Sequence, residues 1–215
     1  MSSLRKKSAI ELRLEQGDEY GLAKLFTKHQ ARLWRMIEFR MDCRLIGRVD
    51  ADDILQEGYL AARQRIEHFK DTEMSPFIWL RTILTRTLID VTRRHLDAQM
   101  RSVDREFSMN QQDAGQTTSL CIADRLAGSD TSPSQVAVRQ ETVKRIEQDI
   151  GQMEDIDQEV LALRHFEDLT NQEVAESLGI QQKAASIRYM RALKRLKEIL
   201  ASTQGFTEEF RGNSG

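Results

Sequence analysis

Residues 169–200 read LTNQEVAESLGIQQKAASIRYMRALKRLKEIL, the punctuation of two helices joined by a tight turn. Thr170, with Glu173 three residues later, makes a capping box ahead of the apolar Val174, Ala175 and Leu178. Gly179 supplies the left-handed backbone that ends a first helix, and a second is expected from Gln181 or Gln182. Ala185, Tyr189, Ala192 and Leu196 then form one apolar stripe, and the small Ala175 and Ala185 permit a close crossing. This register turns Gln181, Gln182, Lys183, Ser186, Ile187, Met190, Arg191 and Lys194 outward. Glutamine and arginine can bond base edges, while lysine and arginine neutralise phosphates. A helix-turn-helix that reads DNA fits these residues, and so does a plain hairpin with a solvated basic face.

Charge is unevenly spread around this segment. The whole chain of 215 residues carries a net −2, but residues 183–197 hold six basic side chains and no acidic one. Residues 1–101 have 19 Lys/Arg against 15 Asp/Glu, and residues 102–155 have 5 against 10. Contact with a polyanion is governed by such local fields rather than by the total.

Upstream, residues 1–100 read as one helical unit, with Gly17-Asp18 separating a short first helix from a longer second one. RVDADDILQEGYLAARQRIEHF, residues 48–69, places Asp52, Asp53, Gln56 and Glu57 within about one and a half turns of a helix. A partner-binding face, a solvated helix start and a carboxylate metal site all fit that spacing, although no histidine accompanies the acids. A long helix follows Pro76, tolerated in a first turn, with Phe77, Ile78 and Trp79 at its start and Arg81, Arg86, Arg93 and Arg94 along it. Aromatics there can stack on unpaired bases or belong to the core. Residues 101–134, rich in Gln, Ser, Thr, Gly and Asp, read as a linker with Leu120, Cys121 and Ile122 as a local docking point. Residues 135–204 read as a second helical unit, and 205–215 as a short tail.

Taken in order, these blocks resemble the extracytoplasmic-function (ECF) group of bacterial sigma-70 RNA polymerase sigma factors. LFTKHQARLWRMIEFRM is similar to the group's first conserved helix, DADDILQEGYLAA to its Asp-x-x-Gln-Glu block, and SPFIWLRTILTRTLIDVTRRH to its promoter-melting helix. The resemblance implies an all-α protein of two helical domains, region 2 and the helix-turn-helix region 4, joined by a flexible linker. It implies that Asp52, Asp53, Gln56, Glu57 and Tyr59 bind the clamp helices of core polymerase. Phe77, Trp79, Arg86, Thr87, Arg93 and Arg94 would contact the minus-ten DNA, with a base captured by residues 68–75, and the outward residues of 169–200 would read the minus-thirty-five duplex. Two positions depart from the group. Thr87 stands where Asn is frequent, and Gln181-Gln182-Lys183 replaces a Ser-led opening of the recognition helix, which points to altered sequence preference.

The expected partners are therefore polymerase core and promoter DNA, and an anti-sigma factor is a further partner that the resemblance allows. No cofactor, metal or catalytic group is expected: the chain has no phosphate-cradling glycine loop, and His165 beside Glu167 and Asp168 reads as a helix-end residue. With no apolar run of membrane length, no signal core and no CxxC pairing of Cys43 and Cys121, the expectation is a reduced, cytoplasmic protein without membrane insertion. A helix-turn-helix regulator that never engages core polymerase and a helical adaptor are the rival readings.

Overall fold

A computed structural model describes residues 8–42, 45, 47–102, 114–128 and 133–202. Among the described residues all regular structure is helical, and no helix is long and apolar enough to cross a membrane. The chain divides into two compact units, Met1–Glu106 and Phe107–Gly215.

The first unit contains α1 (Ala9–Glu15), α2 (Glu19–Arg40), α3 (Ala51–Gln64), a 3-10 segment (Ile66–Asp71) and α4 (Pro76–Ser102). The break expected at Gly17-Asp18 is present: Gly17 has φ +70° and the Asp18 side chain caps α2 by accepting from the Tyr20 N–H. Leu33, Met36, Ile37, Ile54, Leu80 and Leu84 lie fully buried where α2, α3 and α4 meet. Burying a side chain of this size contributes about 2 kcal/mol, so this contact carries the unit. Two glycines set how closely the helices approach. A Cβ on Gly58 of α3 would stand 2.7 Å from Leu84 Cγ of α4, and one on Gly21 of α2 would stand 2.7 Å from Arg13 Cβ of α1. Along α4, the hydroxyls of Thr82, Thr85, Thr87 and Thr92 donate to the carbonyls four residues back, which satisfies them on a largely apolar helix.

The second unit contains α5 (Ala114–Leu126), α6 (Pro133–Ile150), α7 (Asp155–Leu161), a π turn (Ala162–Phe166), α8 (Asn171–Leu178) and α9 (Gln182–Ser202). Helix α5 lies inside the stretch expected to be linker. It packs on α6 and α7, with Ile122 and Ala123 fully buried. Two of its polar residues bond neighbouring helices: buried Thr118 donates to Glu159 Oε2 at 3.0 Å, and Arg139 of α6 donates to Asp124 Oδ1 at 2.7 Å and to the Gly128 carbonyl at 2.6 Å. Of the proposed docking triplet only Ile122 is fully inward, while Leu120 is exposed and Cys121 half-buried. The expected linker residues 103–113 and 129–132 and the tail lie outside the described residues, and α4 runs to Ser102.

Two substitutions test this packing. Ile122→Ala should lower the unfolding free energy of the second unit by about 3 kcal/mol, read from denaturant melts, where a linker residue would give no change. Gly58→Ala should lower it by about 1–3 kcal/mol in the first unit, because the added methyl must displace Leu84 or part the helices. An unchanged midpoint would show that α3 and α4 can separate without cost.

Candidate polymerase and nucleic-acid interfaces

Helix α3 starts under an Asp50 cap, whose side chain accepts from the Asp52 N–H at 3.3 Å. Ala51, Ile54, Leu55, Gly58 and Ala62 face the core, which leaves Asp52, Asp53, Gln56 and Glu57 together on the solvent side. Acids in the first turn also meet the positive end of the helix dipole. Tyr59 is half-buried, edge-on to Phe26 with ring centroids 5.0 Å apart, so it acts mainly as packing at the rim of this face. Leu60, 53% exposed and four residues beyond Gln56, extends the face with an apolar surface. Sequence reasoning passed over Leu60, although its position off the Ile54–Gly58–Ala62 stripe marks it as outward. Beside the start of α3 an open groove of about 490 Å³ is lined by Trp34, Glu38, Arg48, Asp50 and Asp53 among others.

Helix α4 buries half of the expected single-strand set. Phe77, Trp79 and Thr87 are only 6%, 5% and 6% exposed and offer no surface to a nucleic acid in this structure. Phe77 lies under the Arg32 guanidinium, 3.9 Å from ring centroid to Cζ, and against His29. Trp79 packs edge-on to Phe69, and Thr87 donates to the Ile83 carbonyl at 3.1 Å. The cause is register: a helix begun at Pro76 turns its first apolar cluster into the bundle, and buried Arg81 goes with it. Arg86 and Arg93 are exposed, seven residues apart on one face, with exposed Ile89 between them. Arg94 is exposed too but is ion-paired to Glu57 of α3, so residues expected in two separate sites touch each other. Where base capture was expected, the 3-10 segment buries Phe69 and leaves His68 and Lys70 exposed, and Glu73 and Met74 beyond it are exposed too.

The turn between α8 and α9 follows the sequence closely. Thr170 and Glu173 form the reciprocal capping box, at 3.2 and 2.7 Å. Gly179 has φ +65°, and the Ile180 N–H closes the turn on the Ala175 carbonyl at 2.9 Å. Ala175 and Ala185 are buried where α8 and α9 pack. Asn171 Nδ2 donates to Ser186 Oγ at 2.7 Å across this crossing.

Two residues expected to face DNA also make bonds within the second unit. Ser186 is half-buried, holding Asn171 and donating to the Gln182 carbonyl. Arg191 donates from Nε to Asp157 Oδ2 at 2.7 Å and from a terminal nitrogen to Glu154 at 3.4 Å. Arg188, one turn earlier, donates to Asp157 Oδ1 at 2.6 Å and to Glu154 at 2.9 Å. These bonds to Glu154 and Asp157 push the Arg188 guanidinium pKa up, so it stays charged. In the basic run half-buried Arg188 and exposed Arg191 anchor α9 to the start of α7, while Gln181, Gln182, Lys183, Ile187, Met190 and Lys194 point to solvent.

The match to known families follows the same division. Residues 25–96 match the family description Sigma-70 region 2, and residues 149–198 match Sigma-70, region 4, together more than half of the chain. The chain belongs to the sigma-70 family, in its ECF group. As a sigma factor it works in transcription initiation with RNA polymerase and promoter DNA. The sigma factor is 28% identical over 200 residues to RNA polymerase sigma factor NccH of Alcaligenes xylosoxydans xylosoxydans, covering 91% of this chain and 95% of that one. It is 23% identical over 188 residues to ECF RNA polymerase sigma factor SigW of Bacillus subtilis, covering 87% and 92%. A solved structure of CnrH in complex with the cytosolic domain of CnrY aligns at 19% identity and a TM-score of 0.49, covering 90% of this chain and 97% of that one.

Removing Asp157 leaves two guanidiniums without their buried acceptor. Asp157→Ala should lower the stability of the second unit by about 2 kcal/mol and weaken promoter binding, even though Asp157 faces α9 rather than DNA. Paired thermal melts and promoter-binding titrations check this; intact binding with a lowered melting point would show that α9 keeps its aim without the anchor.

Proposed function

We propose that the two units divide the work of initiation between them. The exposed face of α3, made of Asp52, Asp53, Gln56, Glu57 and Leu60, docks on a basic surface of core polymerase. Acidic and amide groups around one apolar side chain suit such a surface, where charge steers encounter and the apolar centre supplies burial. Arg86 and Arg93 follow the backbone of the opened strand, and the exposed part of residues 68–75 receives an unstacked base. Helix α9 enters the major groove of the upstream duplex, with Gln181 and Gln182 near its leading end and Lys183 and Lys194 on phosphates. The protein brings no catalysis of its own; the polymerase supplies it.

The observation that carries this reading is the separation of charge: an exposed acidic face on α3 and an exposed basic face on α9, each in a block matching the corresponding sigma region. A regulator that binds only duplex DNA has no use for the first, and an adaptor that binds only protein has no use for the second.

Purified protein added to core polymerase should confer promoter-dependent RNA synthesis, and failure to bind core would sink the reading. Asp53→Ala with Gln56→Ala should weaken core binding by roughly tenfold, an effect that saturating core overcomes. Lys183→Ala with Lys194→Ala should leave core affinity unchanged and reduce the salt dependence of promoter binding, the slope of log affinity against log salt falling by about 2. Equal losses from both pairs in both assays would contradict the division.

A further inference from the structure

The exposed face of α9 has an apolar centre. Ile187 is 58% exposed and Met190 65%, the latter more than any other large hydrophobic side chain among the described residues. Lys183, Ile187, Met190 and Lys194 follow one another at helical spacing along a single face, so a cation stands at each end of an apolar pair. The two lysines are separated by roughly 16 Å of helix, against a major groove about 12 Å wide. They can therefore reach phosphates on both walls while the residues between them lie at the groove floor.

The neighbours that would ordinarily bond base edges from this part of a helix also make bonds within the unit. Ser186 is held by Asn171, and Arg191 by Asp157 and Glu154. The most exposed side chains at the middle of α9 are thus hydrocarbon and thioether, beside an Arg191 whose guanidinium is turned toward Asp157. Such side chains have no strong donor or acceptor with which to distinguish base pairs. On the major-groove edges of the four pairs, the one apolar feature is the 5-methyl group of thymine.

We infer that Ile187 and Met190 are specificity-determining residues that read thymine 5-methyl groups at the centre of the upstream promoter element. This rests on the reading that α9 lies in the major groove. The occupant is DNA rather than an apolar partner protein because the pair is bracketed by Lys183 and Lys194 in a run without an acidic residue.

The test uses the assembled holoenzyme and promoter duplexes that it selects from a randomised pool. The upstream element is then synthesised with thymine or with uracil, which keeps the base pair and every hydrogen-bonding group and removes only the methyl. Each contacted thymine should give roughly fourfold weaker binding when replaced by uracil. The thymine preference should vanish in Ile187→Ala with Met190→Ala and persist in Lys194→Ala. Both apolar side chains are exposed, so the double variant should keep the wild-type melting temperature. Holoenzyme that binds its promoters equally well with uracil overturns the inference and leaves the sigma reading standing. A preference that survives the double variant also overturns it, as does a double variant that loses core binding instead. Holoenzyme that binds no duplex at all overturns both readings.

Discussion

Asp157 accepts hydrogen bonds from two arginines of α9 while itself buried at the start of α7, and the orientation of the recognition helix depends on that fork. A buried carboxylate is costly unless fully paired, so α9 is held in the rotation that keeps both guanidiniums in reach. That rotation decides which side chains of the basic run face outward. It leaves Arg188 half-buried and turns the guanidinium of exposed Arg191 toward Asp157, beside the lysines and the apolar pair of the outer face.

In the first unit the corresponding constraint is the close approach of α3 and α4. Gly58 lets Leu84 reach the backbone of α3, and the same proximity brings Arg94 to Glu57. The surface proposed for polymerase and the helix proposed for the opened strand are two faces of one packed pair. Neither can be shifted alone without disturbing the buried contact between them.

Much of this was legible in the residues. The capping box at Thr170, the left-handed Gly179, the break at Gly17 and the start at Pro76 are local signals, set by backbone geometry that few residue types satisfy. The acidic face of α3 was legible for a similar reason, because the spacing of Ile54, Gly58 and Ala62 leaves its acids one place to go. What escaped were facts about tertiary contact. Arg191 is exposed as its spacing implies, but its bond to a buried acceptor 34 residues away in α7 has no local signal. Phe77 and Trp79 looked suited to stacking on bases because aromatic composition is the same in a core and on a platform. Helix α5 was hidden by its own polarity: Thr118, Ser119 and Asp124 read as linker, yet two of the three are buried and Thr118 and Asp124 are hydrogen-bonded to neighbouring helices.

The Glu57–Arg94 pair has a consequence for how the two proposed partners act on each other. A partner that engages the Glu57 carboxylate must draw it away from Arg94, and DNA that engages Arg94 must do the same from the other side. Whichever arrives first bears the cost of parting the pair, and the second finds its group already released. By thermodynamic reciprocity each partner then raises the affinity of the other. Because both side chains are about half exposed, the effect is bounded by the worth of a surface ion pair, under about 1 kcal/mol or roughly fivefold, and it fades as salt rises. The first unit would in this way hold Arg94 partly in reserve until its carboxylate partner is engaged.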